Sequence, residues 1–368
     1  MSKLEELIQQ YCPDGVEYKP IGDYLKYEQP TKYLVESTKY DDSYPTPVLT
    51  AGQSFILGYT KETDGIYKAS KDSPVIIFDD FTTSLHWVEF SFKVKSSAMK
   101  MLTPVDETKA LFRYLYYCMK NIMYVPGDHT RQWIGTYSQF EIPIPPLPVQ
   151  EEIVRVLDTF TELQAELQAE LQKRLQQYNY YRDNLLSFDG RTDVEWKKLG
   201  EISKVCRGVR VVKSQLSNEG YPVYQNCLTP MGYYDKTNCP AGTPFVICGG
   251  AAGNVGYADV DWWAADDCEY IIGNVGLTNR YIYHCLMAKK DYLLSQVRKA
   301  SIPRLSPSVI KDLEIPVPSL AEQQRIVDIL DMFDSLTTDL TAGLPAEIEK
   351  RKLQYEYYRD KLLTFKRK

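Results

Sequence analysis

The side chains in this sequence best placed to do chemistry are amides, hydroxyls and guanidinium groups in predicted loops. The chemistry they suit is hydrogen-bonded recognition. Residues 127–137 read GDHTRQWIGTY and residues 298–305 read RKASIPRL. Arg131 and Gln132 can each present a two-pronged edge, as Arg does to guanine and Gln to adenine. Arg298, Lys299, Ser301 and Arg304 can do similar work or hold phosphates. Further candidates are Thr82, Thr83 and Ser84 after Phe78-Asp79-Asp80-Phe81, then Arg207 and Arg210 in KVCRGVRVVK, and the paired amides Gln225 and Asn226. For each of these the alternative is ordinary solvated surface.

Catalytic constellations do not assemble. The run Gly249-Gly250-Ala251-Ala252-Gly253-Asn254-Val255-Gly256 lacks the spacing, the lysine and the following helix of a nucleotide loop. It reads instead as strand–turn–strand, from which Asn254 could face a nucleic acid. The sequence holds no P-loop, no Asn/Asp-Pro-Pro-Tyr/Phe tetrapeptide and no Ser/His/Asp set. Its histidines, His86, His129 and His284, are scattered. The eight cysteines form no CxxC pair, so reduced, covered thiols are a better reading than a zinc site.

Net charge is −6, which taken alone disfavours a polyanionic partner. The charge is uneven, however. Residues 191–320 carry 15 Lys and Arg against 13 Asp and Glu, while 151–190 carry 4 against 8. A local basic face matters more than the total. The N-terminal MSKLEELIQQY is amphipathic, with Leu4, Leu7, Ile8 and Tyr11 on one side, and has no apolar run of signal-peptide kind. With no stretch approaching the ~18 apolar residues of a membrane span, a cytoplasmic location is the expectation.

What positions the candidate loops is an internal repeat. FEIPIPPLPVQEEIVRVLDTF (140–160) and LEIPVPSLAEQQRIVDILDMF (313–333) agree at 11 of 21 positions without a gap; about one is expected by chance. YNYYRDNLLSF (178–188) and YEYYRDKLLTF (355–365) agree at 8 of 11. A weaker match joins VEYKPIGDY (16–24) to VEWKKLGEI (194–202). The stretches between, 25–135 and 203–305, show no common register. The shared parts therefore do one job twice, and the divergent parts do two versions of another job.

The prolines of 142–148 exclude helix and predict an extended segment. From Gln150 the apolar residues Ile153, Leu157, Phe160, Leu163, Leu167, Leu171, Leu175 and Tyr178 form a helical stripe. About 38 residues would span roughly 57 Å, too long to be stable without a partner. The second copy supplies one, with Ile326, Ile329, Leu330, Phe333, Leu336 and Leu340. It is interrupted by Gly343 and Pro345, which predict a break near Leu344-Pro345. The two helices are expected to pack antiparallel, with a globular domain at either end. The alternative is that each packs only on its own domain.

These duplicated IPIPPLxxQxxIV and YYRDxLLSF blocks resemble the repeated regions of specificity subunits of type I restriction–modification systems, over essentially the whole chain. The first variable stretch, PVLTAGQSFILGYTKETDGIYKASKDSPVIIFDDFTT (47–83), is similar to one kind of target-recognition domain. YPVYQNCLTPMGYY (221–234) with PFVICGGAAGNVGY (244–257) resembles another. The resemblance implies an α+β protein with two target-recognition domains containing mixed sheets, separated by two long antiparallel helices in a coiled coil with a pseudo-two-fold repeat. The boundaries would be 1–148 and 191–320 for the recognition domains, and 149–190 and 321–368 for the spacer helices.

It further implies that each domain reads half of a bipartite double-stranded DNA target, and that the helices dock two methyltransferase subunits. Those subunits would bind S-adenosylmethionine, and restriction–translocation subunits can join them. Tyr180, Tyr181 and Arg182, with Tyr357, Tyr358 and Arg359, are the expected packing and partner surface. Two rival readings stay open from sequence: a self-contained DNA methyltransferase or fused restriction enzyme, and a coiled-coil adaptor that binds protein only.

Overall fold

The computed structural model describes residues 3–50, 55–127, 130–338 and 342–368. The chain divides into two units. Unit 1 comprises residues 1–166 with 349–368, and unit 2 comprises 167–348. His129 and Leu340, both singled out above, lie outside the described residues.

Unit 1 opens with helix α1 (Lys3–Tyr11), strand β1 (Glu17–Pro20) and strand β2 (Leu25–Glu28). There follow β3 (Thr46–Leu49), β4 (Ile56–Thr60), β5 (Val75–Asp79), β6 (Leu85–Val88), β7 (Lys93–Val94), β8 (Met99–Pro104), α2 (Phe112–Asn121) and β9 (Glu141–Ile144), then the long α3 (Leu147–Ser187). Leu4, Leu7 and Ile8 of α1 pack into the core, but Tyr11 is turned out to solvent. β5, Val-Ile-Ile-Phe-Asp, is buried at every position. That is the signature of a strand covered on both faces. It is central in an antiparallel sheet of order β2-β8-β5-β6, beside a smaller mixed sheet β4-β3-β7 in which β3 and β7 run parallel.

Unit 2 repeats the pattern. Strand β10 (Glu195–Lys198) is followed by α4 (Leu199–Ile202), β11 (Ser203–Arg207), β12 (Tyr221–Tyr224), β13 (Tyr233–Tyr234), β14 (Thr243–Ile247), β15 (Val255–Ala258), β16 (Trp263–Ala264) and β17 (Cys268–Gly273). Then come α5 (Asn279–Ala288), α6 (Lys290–Ser295), α7 (Pro307–Lys311), β18 (Glu314–Val317) and α8 (Leu320–Thr338), and last α9 (Leu344–Leu362), which belongs to unit 1 from Glu349 on. Its sheets have orders β11-β17-β14-β15 and β13-β12-β16, with β12 and β16 parallel. Strand for strand this is the topology of unit 1, although the strands of the two variable sheets share no obvious sequence.

The repeated blocks fold identically. The Ile-Pro-Ile-Pro segment is strand β9, paired with β1 so that Tyr18 faces Pro143; β18 pairs with β10 so that Trp196 faces Pro316. Helix α3 begins one residue before Pro148, which suits a first turn that needs no N–H donor. Each helix is locked to its domain by a buried glutamine. Gln150 donates to Pro145 O at 2.7 Å and accepts from Leu111 N–H at 2.9 Å. Gln323 donates to Pro318 O and accepts from Thr278 N–H, both at 3.0 Å.

In unit 1, Val149, Ile153 and Leu157 share a core with Leu363 near the end of α9, and Phe160 stacks on Tyr358. In unit 2, Tyr178 and Leu186 share a core with Ile326 and Leu330, and Tyr181 stacks on Phe333. Within each unit, a part of α3 thus packs on a part of the second copy. That copy is broken, with α8 ending at Thr338 and α9 starting at Leu344 with Pro345 in its first turn.

Candidate nucleic-acid interface

In unit 1 the sharp β5–β6 turn is shaped by Asp79. Its carboxylate accepts the N–H groups of Phe81 at 2.8 Å and Thr82 at 3.3 Å, and its carbonyl accepts Thr83 N–H at 2.9 Å. Thr83 has φ 60°, a left-handed conformation unusual for a β-branched residue. Thr82 is exposed at the tip, with Thr83 and Ser84 half-buried behind it.

The next residue, Asp80, ties this turn to the loop before β9. Its carbonyl accepts Gln132 N–H at 2.8 Å and its carboxylate accepts Trp133 N–H at 2.9 Å. The other carboxylate oxygen faces Lys100 Nζ at 3.2 Å, and both side chains are 1% exposed. Beneath lie Phe78, Trp133 and Tyr137 in mutual ring contact. Thr82, Thr83, Ser84 and Arg131 are therefore brought to one place, and Arg131 is exposed there.

Gln132 is a correction. It is 2% exposed, accepts from Tyr124 Oη at 2.8 Å and donates to Thr130 O at 2.9 Å. An amide enclosed in this way shapes the loop and does not reach a base edge.

Unit 2 builds the equivalent place from the equivalent segments. The β14–β15 turn receives the loop before β18 through Leu305 N–H to Cys248 O at 2.9 Å and Gly250 N–H to Pro303 O at 3.1 Å. Glycine is needed at 249, where a Cβ would lie 2.5 Å from the Asp267 carboxylate. Arg304 Nη1 holds that carboxylate at 2.9 Å. Arg207 Nε donates to Asp266 O at 3.0 Å, and Gln225 Nε2 to the Asp266 carboxylate at 3.3 Å. Asn226 O accepts Ala251 N–H at 2.8 Å.

Arg207, Arg298 and Arg304 line a cleft of about 400 Å³ with Asp266, Asp267 and Glu269. Burial raises the Glu269 carboxyl above the usual range. Lys299 and Ser301 stand exposed in the same loop. Two candidates are not brought into this group. Asn254 folds its amide back on Ala251 O at 2.9 Å. Arg210 is exposed, but its neighbour Val209 is tied to Ala264 and Trp263 on the smaller sheet.

The helix tyrosines separate into two roles. Tyr181 and Tyr358 stack on Phe333 and Phe160, each with rings 5.4 Å apart, Tyr181 staying 44% exposed. Arg182 and Arg359 lie over Tyr178 and Tyr355 and pair with Asp183 and Asp360. Tyr180 and Tyr357 face outward, at 66% and 62% exposure.

Sequence reasoning missed Asp80, Lys100, Asp266 and Asp267, whose roles follow only from tertiary contacts. It also passed over a legible repeat, RYLYYCM (113–119) against RYIYHCL (280–286). In α2, Arg113 Nε and Tyr117 Oη donate to Asp158 at 2.8 and 2.5 Å. In α5, Arg280 Nε and His284 Nε2 meet Asp331 at 2.7 and 2.6 Å. Both arginines lie over aromatic rings, Trp87 and Tyr116 in one unit, Tyr257 and Tyr283 in the other.

Comparison with known proteins agrees with this duplication. The sequence matches the family described as type I restriction modification DNA specificity domain twice, over residues 13–177 and 192–350. It is 44% identical to the type I restriction enzyme EcoR124I/EcoR124II specificity subunit of Escherichia coli, covering 99% of this chain and 97% of that one. A putative type I restriction enzyme specificity subunit of Haemophilus influenzae is 30% identical, covering 98% of each chain. The crystal structure of a type I restriction–modification system S subunit from M. genitalium shares the fold, with a TM-score of 0.70 at 16% identity over 95% of this chain and 97% of that one. With two family domains spanning most of its length and full-length relatives at this identity, the chain belongs to the type I restriction–modification DNA specificity family.

Proposed function

We propose that each unit of this chain reads one half of a bipartite double-stranded DNA target from the surface where its central-sheet turn meets the loop before its proline-rich strand. As a type I specificity subunit the chain supplies recognition and carries no catalytic role. One observation supports the assignment of the reading surface. The same two segments are hydrogen-bonded together in both units, on one shared topology, and in both they gather Arg and hydroxyl side chains. Thr82, Thr83, Ser84 and Arg131 serve one half-site. Arg207, Gln225, Asn226, Arg298, Lys299, Ser301 and Arg304 serve the other. Gln132 acts behind the surface, and Arg210 and Asn254 lie at its margin.

Residues 1–148 and 191–320 are the proposed recognition domains, with 149–190 and 321–368 as the helical spacers that set the unread gap. A rigid spacer of this kind fixes half-sites about one helical turn apart. Tyr180 and Tyr357, repeated and outward-facing, are the proposed contacts to two methyltransferase subunits. Those subunits would carry S-adenosylmethionine, and restriction subunits can join them. Membership of the specificity family is consistent with no cofactor in this chain. Among the described residues no helix is long and apolar enough to cross a membrane, and the proposed place of work is the cytoplasm, with DNA.

Methylome sequencing of the source cell with and without this chain tests the reading. A bipartite methylated motif present only with the chain is the expected result. An unchanged methylome overturns it.

A further inference from the structure

The proposed reading surface of unit 2 carries a feature that its charges do not explain. Arg298 N–H donates to Arg304 O at 2.9 Å and Arg304 N–H to Arg298 O at 3.2 Å. These bonds close a short finger made of Lys299, Ala300, Ser301, Ile302 and Pro303. The finger's base is fixed to the β14–β15 turn through Pro303 O and Leu305 N–H, and to Asp267 through the Arg304 guanidinium. Pro303 locks its own φ and restricts Ile302 to an extended conformation. The tip is therefore presented by a braced backbone, so little ordering entropy remains to be lost on contact.

At that tip Ile302 is 54% exposed. A single exposed aliphatic residue is ordinary. This one has three exposed cationic residues within four positions of it, Arg298, Lys299 and Arg304, which a phosphate backbone would draw in. The corresponding loop of unit 1 also carries an exposed isoleucine, Ile134 at 60%, three positions from the exposed Arg131. Among the base edges of a major groove, the apolar feature is the 5-methyl group of thymine.

Resting on the DNA-reading function above, we infer that Ile302 is a specificity-determining residue whose side chain packs on the 5-methyl group of a thymine in the half-site of unit 2. Ser301 beside it can hydrogen-bond to any neighbouring base edge. The contact is steric and apolar, so it discriminates thymine from uracil, which pairs identically and differs by that methyl alone.

The test uses the full chain in its complex and duplexes of the methylated motif, with each thymine in turn replaced by deoxyuridine. The parent protein is expected to bind one substituted duplex about fourfold more weakly, the loss that follows from one buried methyl. Ile302→Ala is expected to bind that duplex and the thymine duplex equally, with unchanged thermal stability and salt dependence. Three outcomes overturn the inference while leaving the DNA-reading function intact: a motif without thymine, a parent indifferent to every substitution, or an Ile302→Ala protein that keeps the parent's preference. A parent with no preference for the motif over unrelated DNA overturns both.

Discussion

Asp80 accepts the backbone N–H of Trp133 at 2.9 Å and that of Gln132 at 2.8 Å, joining a strand turn to a loop more than fifty positions away in sequence. Behind it, Lys100 is the buried counter-charge. Removing one partner of such a pair leaves a charge without compensation and costs about 3–5 kcal/mol. Asp80→Ala is therefore expected to lower the denaturant midpoint sharply. Asp80→Ala with Lys100→Met should recover most of the stability, because apolar replacement of a buried pair is often neutral. DNA affinity should recover less, since Trp133 N–H stays without its carboxylate and only the carbonyl at position 80 still holds the loop, through Gln132 N–H. Equal recovery of both, by denaturation and by binding titration, would show that the tie does not position the surface.

Gln132 and Arg131 are adjacent and should behave oppositely. Gln132→Ala removes a buried amide that accepts from the half-buried Tyr124 hydroxyl and donates to Thr130 O, and losing such hydrogen bonds costs about 0.5–1.5 kcal/mol of stability each. Arg131→Ala, at an exposed position, should leave stability within about 0.5 kcal/mol and weaken binding to its half-site by about 1–3 kcal/mol. Thermal melts beside binding isotherms separate the two. A specificity change from Gln132→Ala without any loss of stability would restore it as a direct reader.

Glu152 gives unit 1 an acid-sensitive contact. Hydrogen bonds from Arg155, together with Lys3, outweigh burial and hold its carboxyl down at about 2, against an ordinary 4.5. The folded state thus binds this proton less readily than the unfolded chain. Its contribution is fully present above about 4.5 and fades as pH falls toward 2. Glu152→Gln should be less stable than the parent at neutral pH, and the gap should close across that window. A gap that stays constant down to pH 2 in denaturation curves argues against the pairing.

The thiols should label in two groups. Burial pushes Cys118, Cys239, Cys248 and Cys285 up to about 12, and Cys268 well above its usual value. Cys12 is also buried and raised. Cys206 and Cys227 are half-buried. Because the thiolate is the reacting form, iodoacetamide should modify Cys206 and Cys227 in the native protein and the other six only in denaturant. Prompt native labelling of Cys118 or Cys285, read by mass spectrometry, would contradict the packing of α2 or α5.

The helical part of this architecture was readable because its signals are local. Proline at 143, 145 and 146 forbids helix before the stripe begins, whereas Pro148, expected in the extended run, stands in the first turn of α3; Pro345 marks where the second helix restarts. The common topology of the two variable stretches was not readable. A buried strand asks only for apolar residues, so Val-Ile-Ile-Phe-Asp and Thr-Pro-Phe-Val-Ile fill the same central place with nothing in common by position. The proposed recognition loops were picked out because they precede the proline-rich strands. Which side chains point outward was not, because an amide has the same chemistry whether it meets a base or Tyr124. Tertiary neighbours decide that, and Gln132 fell on the inner side.

The core of unit 1 takes Leu363, with Leu362 and Phe365 against it, and β1 is preceded by Val16, whose N–H donates to Lys366 O at 2.9 Å. A ribosome makes these late residues only after the whole of unit 2. The domain translated first therefore waits with an open seam while the domain translated second can already close. A nascent chain arrested before residue 349 should expose Ile153, Leu157 and their neighbours to chaperones. The order of completion thus runs opposite to the order of synthesis.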